Sequence, residues 1–338
     1  METEQLSDCA KDLLRAANLL QQGQIVGIPT ETVYGLAADA QNENAVRKIF
    51  EAKGRPADNP LIVHIAYISQ LHEVAASVPD VALRLAEKFW PGPMTMILPK
   101  SSSVPMVTSG GLETVGIRMP SHPVAQALIR LSDRWLAAPS ANRSGYPSPT
   151  TASHVYRDMY GKIAAIVDGG PCTIGVESTV LQIEAEDTVR ILRPGAVTKG
   201  QLQTIVPNVE IDQAVLQPLD ANGSAPSPGM KYQHYAPKAH VTLIQGSLDA
   251  FSAYVSTHIS ECTYALVFQD NEGQNLKIPY LTYGSSGQEQ AQLLFSKLRE
   301  LDDLGAERVF VRAPNPEGIG LAVYNRLIRA AGFEVIQV

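Results

Sequence analysis

Lys53-Gly54-Arg55-Pro56 puts two cations one glycine apart, just past an amphipathic segment, with Asn59-Pro60 close behind. The short spacing and the proline make a rigid, strongly positive corner. Such a corner suits a polyphosphate, because arginine offers a planar fork and lysine a point charge. A helix C-terminus also attracts cations, so dipole compensation explains the same pair by another route. A second segment, Ala138-Pro139-Ser140-Ala141-Asn142-Arg143-Ser144-Gly145, leaves an apolar run and is dense in hydroxyl, amide and glycine. Loops at the carboxyl ends of strands are where α/β proteins place ligands. Its backbone N–H groups, with Ser140 and Asn142, suit phosphate oxygens or a metal-bound water.

Arg118 lies between Ile117 and Met119 in an apolar run. A buried arginine requires an anionic partner, since an unpaired buried charge is costly. That partner is either a protein carboxylate, such as Glu113, or the carboxylate of a ligand. His64 interrupts the run Leu61–Ile65 and reads more readily as a satisfied core histidine than as a catalytic one. Thr30-Glu31-Thr32 puts polar residues where a buried element calls for apolar ones, although a capped turn accounts for them too. Gly175-Val176-Glu177-Ser178-Thr179 leads into a strand, and Arg193-Pro194-Gly195 leaves one.

The elements that must position these residues read as follows. Ser7 is placed to cap a helix to about Gln22, with Leu13, Leu14, Ala17 and Leu20 on one face and Gly23 ending it. Asn42 caps another that stops near Gly54. Further helices are expected at 81–89, 123–131 and 151–160. Strands are expected at 24–28, 61–65, 94–98, 115–119, 135–138, 164–167, 178–183 and 189–192. The irregular alternation predicts a mixed α/β domain around one twisted sheet over residues 1–205. Prolines 207, 218, 226, 228 and 237, with Gly223 and Gly229, mark a linker over 206–238. Beyond it, strands at 241–244, 264–268, 280–283, 308–311 and 334–338 alternate with helices at 250–258, 288–304 and 319–331. That pattern predicts a smaller Rossmann-like α/β domain over 239–338 with a parallel sheet. No GxGxxG or GxxxxGK[ST] loop opens any of its helices.

With 338 residues, two domains are the default expectation. Charged residues make up 18% and hydrophobic ones 45%, which argues against long disorder. A net charge of −7 argues against bulk nucleic-acid binding, while leaving room for a local basic pocket. The three cysteines, Cys9, Cys172 and Cys262, are too scattered for a zinc site or a disulfide framework. Neither a signal-peptide core nor a membrane-spanning run is readable, so a cytoplasmic location is expected.

Taken together, the segments resemble the threonylcarbamoyl-AMP synthases of the YrdC-type family, in the long form with an added C-terminal domain. The matching pieces are PTETVYGLAADA at 29–40, KGRPADNPLIVHI at 53–65, FWPGPMT at 89–95, VGIRMPSHP at 115–123, APSANRSGYPSPT at 138–150, ESTV at 177–180 and RPGA at 193–196. SPGMKYQHYAP at 227–237 is characteristic of the long form. The resemblance implies a twisted N-terminal sheet with a concave, positively lined cavity. It also implies a nucleotidyltransferase reaction in which L-threonine, bicarbonate or CO2, and ATP give threonylcarbamoyl-AMP and pyrophosphate. A partner enzyme, a tRNA threonylcarbamoyl-transferase, would then modify an adenosine beside the anticodon, and a weak tRNA contact is allowed.

Carried over by the resemblance, Lys53, Arg55, Ser140 and Asn142 form the catalytic set and hold ATP, with Asn59 completing that site. Thr114, Ser148, Arg193 and Tyr235 are further ATP candidates. Thr32, His64, Arg118, Ala138 and Ser178 surround L-threonine, whose carboxylate would supply Arg118 with its missing partner. Mg2+ would ride on the triphosphate, held by phosphates and water rather than by dedicated protein ligands. The linker piece, with Tyr232, His234 and Tyr235, is expected to close over the cavity mouth. Two rival readings are an RNA-binding maturation factor using the same basic cavity, and a transferase acting on another small acid.

Overall fold

The computed structural model describes residues 2–218 and 234–338. Short apolar runs bounded by Gly, Pro and polar residues form the strands of a first sheet. In chain order these are β1 (Glu4–Leu6), β2 (Val26–Ile28), β3 (Gly35–Asp39), β4 (Ile62–His64), β5 (Met94–Pro99), β6 (Thr114–Arg118), β7 (Leu136–Ala137), β8 (Ala165–Val167), β9 (Thr179–Ala185), β10 (Thr188–Arg193) and β11 (Asn208–Ile211). They lie side by side as β1-β8-β2-β3-β7-β4-β6-β5-β9-β10-β11. The sheet is mixed: β4 runs parallel to β6, which pairs antiparallel with β5, and β5 runs parallel to β9.

Helical layers cover this sheet on both faces. On one face the helices Glu43–Lys53 and Asp80–Phe89 pack Val46, Ile49, Val81 and Leu85 against Val63, Met96, Val115, Ile117 and Leu181. On the other, the helices Ala10–Gln21 and Pro123–Ser132 pack Leu20, Leu128 and Ile129 against Val26, Ile28, Leu136 and Val167, at the β8-β2-β3-β7 end. Side chains alternate across a strand, so Ile117 faces the first layer and Arg118 faces the opposite way. His64 follows Val63 in the same manner. The polar residues of the central strands thus collect on one face.

The second unit contains β12 (His240–Gln245), β13 (Thr263–Val267), β14 (Tyr280–Thr282), β15 (Arg308–Arg312) and β16 (Val335–Gln337), in the order β14-β13-β15-β12-β16. All are parallel, as expected from the βα alternation. Leu243, Leu266, Val309 and Val311 meet the helices Gly287–Asp303 and Gly320–Ala330. Ile244, Val267 and Phe310 meet the helix Leu248–Thr257 on the other face.

Several expected elements differ. The first helix begins at Ala10, with Cys9 at its cap position, because Ser7 instead donates through its N–H and hydroxyl to Asp12 at 2.8 and 2.7 Å. β1 and β3 form where no strand was expected; each is recruited by a neighbour, β8 and β2 respectively. β11 lies inside the stretch expected as linker. It pairs parallel with β10, with Val209 buried, and so carries the first sheet past residue 205. The remaining linker residues 219–233, Tyr232 among them, lie outside the described residues.

Candidate active site

Arg118 ends β6 beside His64 of β4, its register partner. Its Nη2 lies 2.6 Å from Glu31 Oε1, its Nη1 donates to Thr32 Oγ1 at 3.0 Å and its Nε donates to the Gly92 carbonyl at 3.3 Å. The buried cation therefore has a protein carboxylate, but that carboxylate is Glu31 and not Glu113. Glu113 precedes the strand at its other end, where its carbonyl accepts from Lys100. Glu31 reaches Arg118 because Thr30 folds the loop: its hydroxyl donates to the Val33 carbonyl and accepts from the Thr32 and Val33 N–H groups. Glu31 and Arg118 approach as charges rather than through an aligned hydrogen bond. Burial, the largest single influence, would raise the Glu31 carboxyl, but the adjoining Arg118 guanidinium and nearby backbone N–H groups together hold it below its ordinary value. His64 is buried, its Nδ1 in contact with the Ile62 carbonyl at 3.1 Å. Burial, and then the Arg118 charge, push its imidazole down to about 3, so it is neutral.

The Lys53-Gly54-Arg55 corner forms because Gly54 ends its helix in the left-handed conformation, at φ 62°. The two cations then part. Arg55 turns into the cleft and donates to the Pro60 carbonyl at 3.2 Å. Lys53 turns inward and donates to the carbonyls of Ser140 and Asn142, the latter at 2.6 Å. Burial, joined by the neighbouring Arg55 charge, depresses its ammonium well below the usual range. Lys53 thus sits beneath the 138–145 loop and does not wall the cleft, which departs from the expected phosphate contact. The loop is further fixed by Asn142, whose amide donates to the carbonyls of Arg143 and Tyr146, both at 2.8 Å.

The third wall comes from β9 and β10. Arg193 donates to the carbonyl and hydroxyl of Ser178, both at 3.1 Å, and that hydroxyl also meets Thr95 Oγ1 at 2.8 Å. Glu177 lines the cleft too. One of its oxygens accepts from the Ser148 hydroxyl, and the other lies 2.8 Å from Arg326 Nε. Burial tends to raise Glu177, and the Arg326 and Arg193 charges override it. His234 and Tyr235 also line the cleft. Burial, then the Arg55 charge, push His234 down to about 3. Tyr235 has φ 66°, a conformation a bulky side chain adopts only under constraint from its surroundings.

One cleft therefore gathers Thr32, Arg55, Arg118, Ala138, Ser140, Asn142, Ser178, Arg193 and Tyr235. Five expected residues stand behind or beside it. Lys53 and His64 are buried as described. Asn59 presents its carbonyl to Arg55 at 3.4 Å, and Ser148 is engaged by Glu177. Thr114 shares the face of Arg118 but pairs with Pro99 at the far end of β6. Glu31 and Glu177 are absent from the expected set, whereas His234 was expected only as part of the covering linker piece. The only signal for the two acids was their polarity at strand ends, which does not announce a buried arginine from another element. Among the described residues, no three His, Cys, Asp or Glu side chains are grouped to hold a metal. None of the described helices is long and apolar enough to cross a membrane.

A twisted α/β sheet whose cleft gathers Arg55, Arg118 and Arg193 with the hydroxyl residues Thr32, Ser140 and Ser178 defines a protein suited to binding small anions. Its relatives make the class specific. The Sua5/YciO/YrdC family model, described as telomere recombination, matches residues 18–195, and the threonylcarbamoyl-AMP synthase C-terminal domain matches residues 197–332. The threonylcarbamoyl-AMP synthase of Pyrococcus abyssi is 46% identical over 96% of this chain and 95% of its own length. That of Bacillus subtilis is 44% identical over 99% and 97%. The crystal structure of P. abyssi Sua5 complexed with L-threonine superposes with a TM-score of 0.93, at 41% identity, over 100% of both chains. The chain belongs to the threonylcarbamoyl-AMP synthase family.

Proposed function

We propose that this chain condenses L-threonine with bicarbonate or CO2 and transfers the resulting carbamate to the adenylyl group of ATP. The observation that carries the reading is the convergence of Arg55, Arg118 and Arg193 on one cleft with the Ser140–Asn142 loop and the Thr32 and Ser178 hydroxyls. The threonine amine attacks the carbon of CO2, forming the N–C bond and losing a proton. A carbamate oxygen then attacks the α-phosphorus, the bond to the β-phosphate bridging oxygen breaks, and pyrophosphate leaves with the electron pair. Neither step needs a protein nucleophile, so the chain contributes orientation and charge stabilisation.

In this reading Arg118 binds the threonine carboxylate while sharing its charge with Glu31, because its guanidinium is not waiting empty. Thr32 and Ser178 address the amine and hydroxyl, and neutral His64 backs Arg118. Arg55 and the 138–145 loop take the phosphates, with Lys53 holding that loop from beneath. Any Mg2+ accompanying ATP would be held by the phosphates and water rather than by residues of this chain, and would supply charge neutralisation. His234 and Tyr235 shield the labile mixed anhydride from water. The acyl-phosphate product calls for an acceptor enzyme, and the family relationship favours one that modifies tRNA. Incubation with 13C-bicarbonate, ATP and L-threonine, followed by mass spectrometry, tests the reaction. The labelled adenylate should appear only when all three are present, and its absence in the complete mixture contradicts the reading.

A further inference from the structure

The N-terminal cleft is not finished by N-terminal residues alone. Arg326, on the C-terminal helix Gly320–Ala330, is fully buried. Its Nε pairs with the Glu177 carboxylate at 2.8 Å, and its Nη2 donates to the Glu177 carbonyl at 3.3 Å. Its Nη1 donates to the Pro194 carbonyl at 2.8 Å. One guanidinium thus ties together the residue before Ser178 and the residue after Arg193, the two that hydrogen-bond each other in the cleft wall. A second arginine of the C-terminal unit anchors a neighbouring N-terminal segment. Arg299, on the helix Gly287–Asp303, pairs with buried Asp158 at 2.6 Å and donates to the Pro147 carbonyl at 2.6 Å, next to the Ser148 that binds Glu177.

The packing is equally close. Val33 and Val176, which flank Thr32 and Glu177, belong to the C-terminal hydrophobic core. Gly175 has φ 86°, and a Cβ there would overlap the backbone of Ala291 and Gln292. Gly195 likewise lets its turn lie directly on the Ser178–Thr179 backbone.

We propose that Arg326 is a positioning residue for the reaction, through which the C-terminal domain fixes Glu177 and the Ser178–Arg193 wall. The proposal rests on the function proposed above and assigns that domain a part in it. Removing Arg326 leaves Glu177 buried without its main counter-charge. The other groups facing Glu177 are Arg193, Ser148, Lys53, His234 and Tyr235. The carboxyl should then rise, and the wall should be held only when Glu177 is ionised.

The test compares full-length wild type, R326M, R326K and R326M/E177Q in L-threonine-dependent pyrophosphate release, each with a thermal melt. R326M is expected to fold, to lose tenfold or more in kcat/KM for L-threonine, and to acquire an activity that climbs with pH where wild type is flat. The double variant should lose that climb. R326K should restore the flat profile yet stay several-fold below wild type, because one ammonium cannot hold the Glu177 carboxylate and the Pro194 carbonyl together. A folded R326M with wild-type kcat/KM overturns the proposal, as does a loss that is uniform in pH and follows the melting temperature. If R326M does not fold, R326K at wild-type kcat/KM overturns it. A wild type that releases no threonine-dependent pyrophosphate instead rejects the proposed function.

Discussion

Arg118 and Glu31 are both almost closed to solvent, and each is the other's main justification for being charged. Breaking such a pair from one side leaves an uncompensated buried charge, at a cost of about 3–5 kcal/mol. Glu31→Ala should therefore lower thermal stability markedly. If Arg118 is the threonine carboxylate site, L-threonine should recover part of the loss by restoring a counter-charge. A calorimetric melt with and without L-threonine checks this: the stabilising shift should be larger in the variant than in wild type, and an equal or smaller shift counts against Arg118 as the carboxylate site. At this scale the sequence was partly legible. Arg118 announced itself because an arginine amid Ile117 and Met119 demands an anion, and so did the Ser140–Asn142 loop. Glu31 did not, since it lies in a loop whose fold depends on Thr30 hydrogen bonds and no spacing rule links it to Arg118. The direction of Lys53 was equally hidden. Two cations one glycine apart look alike in sequence, and only the path of the chain after Gly54 sends one into the cleft and the other beneath the loop.

The 138–145 loop is the element on which the proposed nucleotide site depends, and Lys53 is its buried support. Lys53→Met keeps the length of the side chain but leaves the Ser140 and Asn142 carbonyls without their donor. An unsatisfied buried group costs about 1–3 kcal/mol. The loop should loosen, and KM for ATP should rise about tenfold, since about 1.4 kcal/mol is a factor of ten, while KM for L-threonine changes less. Steady-state kinetics with each substrate varied in turn checks the split. A kcat loss with both KM values unchanged would indicate that Lys53 acts on the reacting groups themselves. Long, strongly patterned elements such as the helices at 43–53 and 287–303 were readable from their apolar spacing. The short strands β1, β3 and β11 were not, because three to five residues carry little periodicity and the pairing partner recruits them.

For the whole molecule, the division into a mixed sheet and a parallel sheet followed from the change in βα alternation, whereas the way the two units share a site did not. Arg326 sits in an ordinary amphipathic helix, and nothing around it in sequence points to Glu177. The buried groups also set a pH response. His64 and His234 are held down to about 3, against an ordinary value of 6.5. Between those values the unfolded chain binds more protons than the folded one, so the histidines' contribution to stability is complete above 6.5 and falls as pH drops, by up to about 1.4 kcal/mol per pH unit for each histidine. Glu31 and Glu177, both lowered, add a further loss on acidification below their ordinary value of 4.5. Denaturant midpoints should thus decrease steadily from about pH 7 to about pH 4, and a constant midpoint would contradict the buried neutral histidines. The most direct measurement of the central claim is pyrophosphate release from ATP in the presence of bicarbonate, comparing L-threonine with L-serine, L-valine and no amino acid. Release should depend on L-threonine and fall ten- to a hundredfold in Arg55→Ala at limiting ATP, as loss of about 1.5–3 kcal/mol from a charge-assisted contact requires. Release with no amino-acid preference, or none at all, would contradict the account.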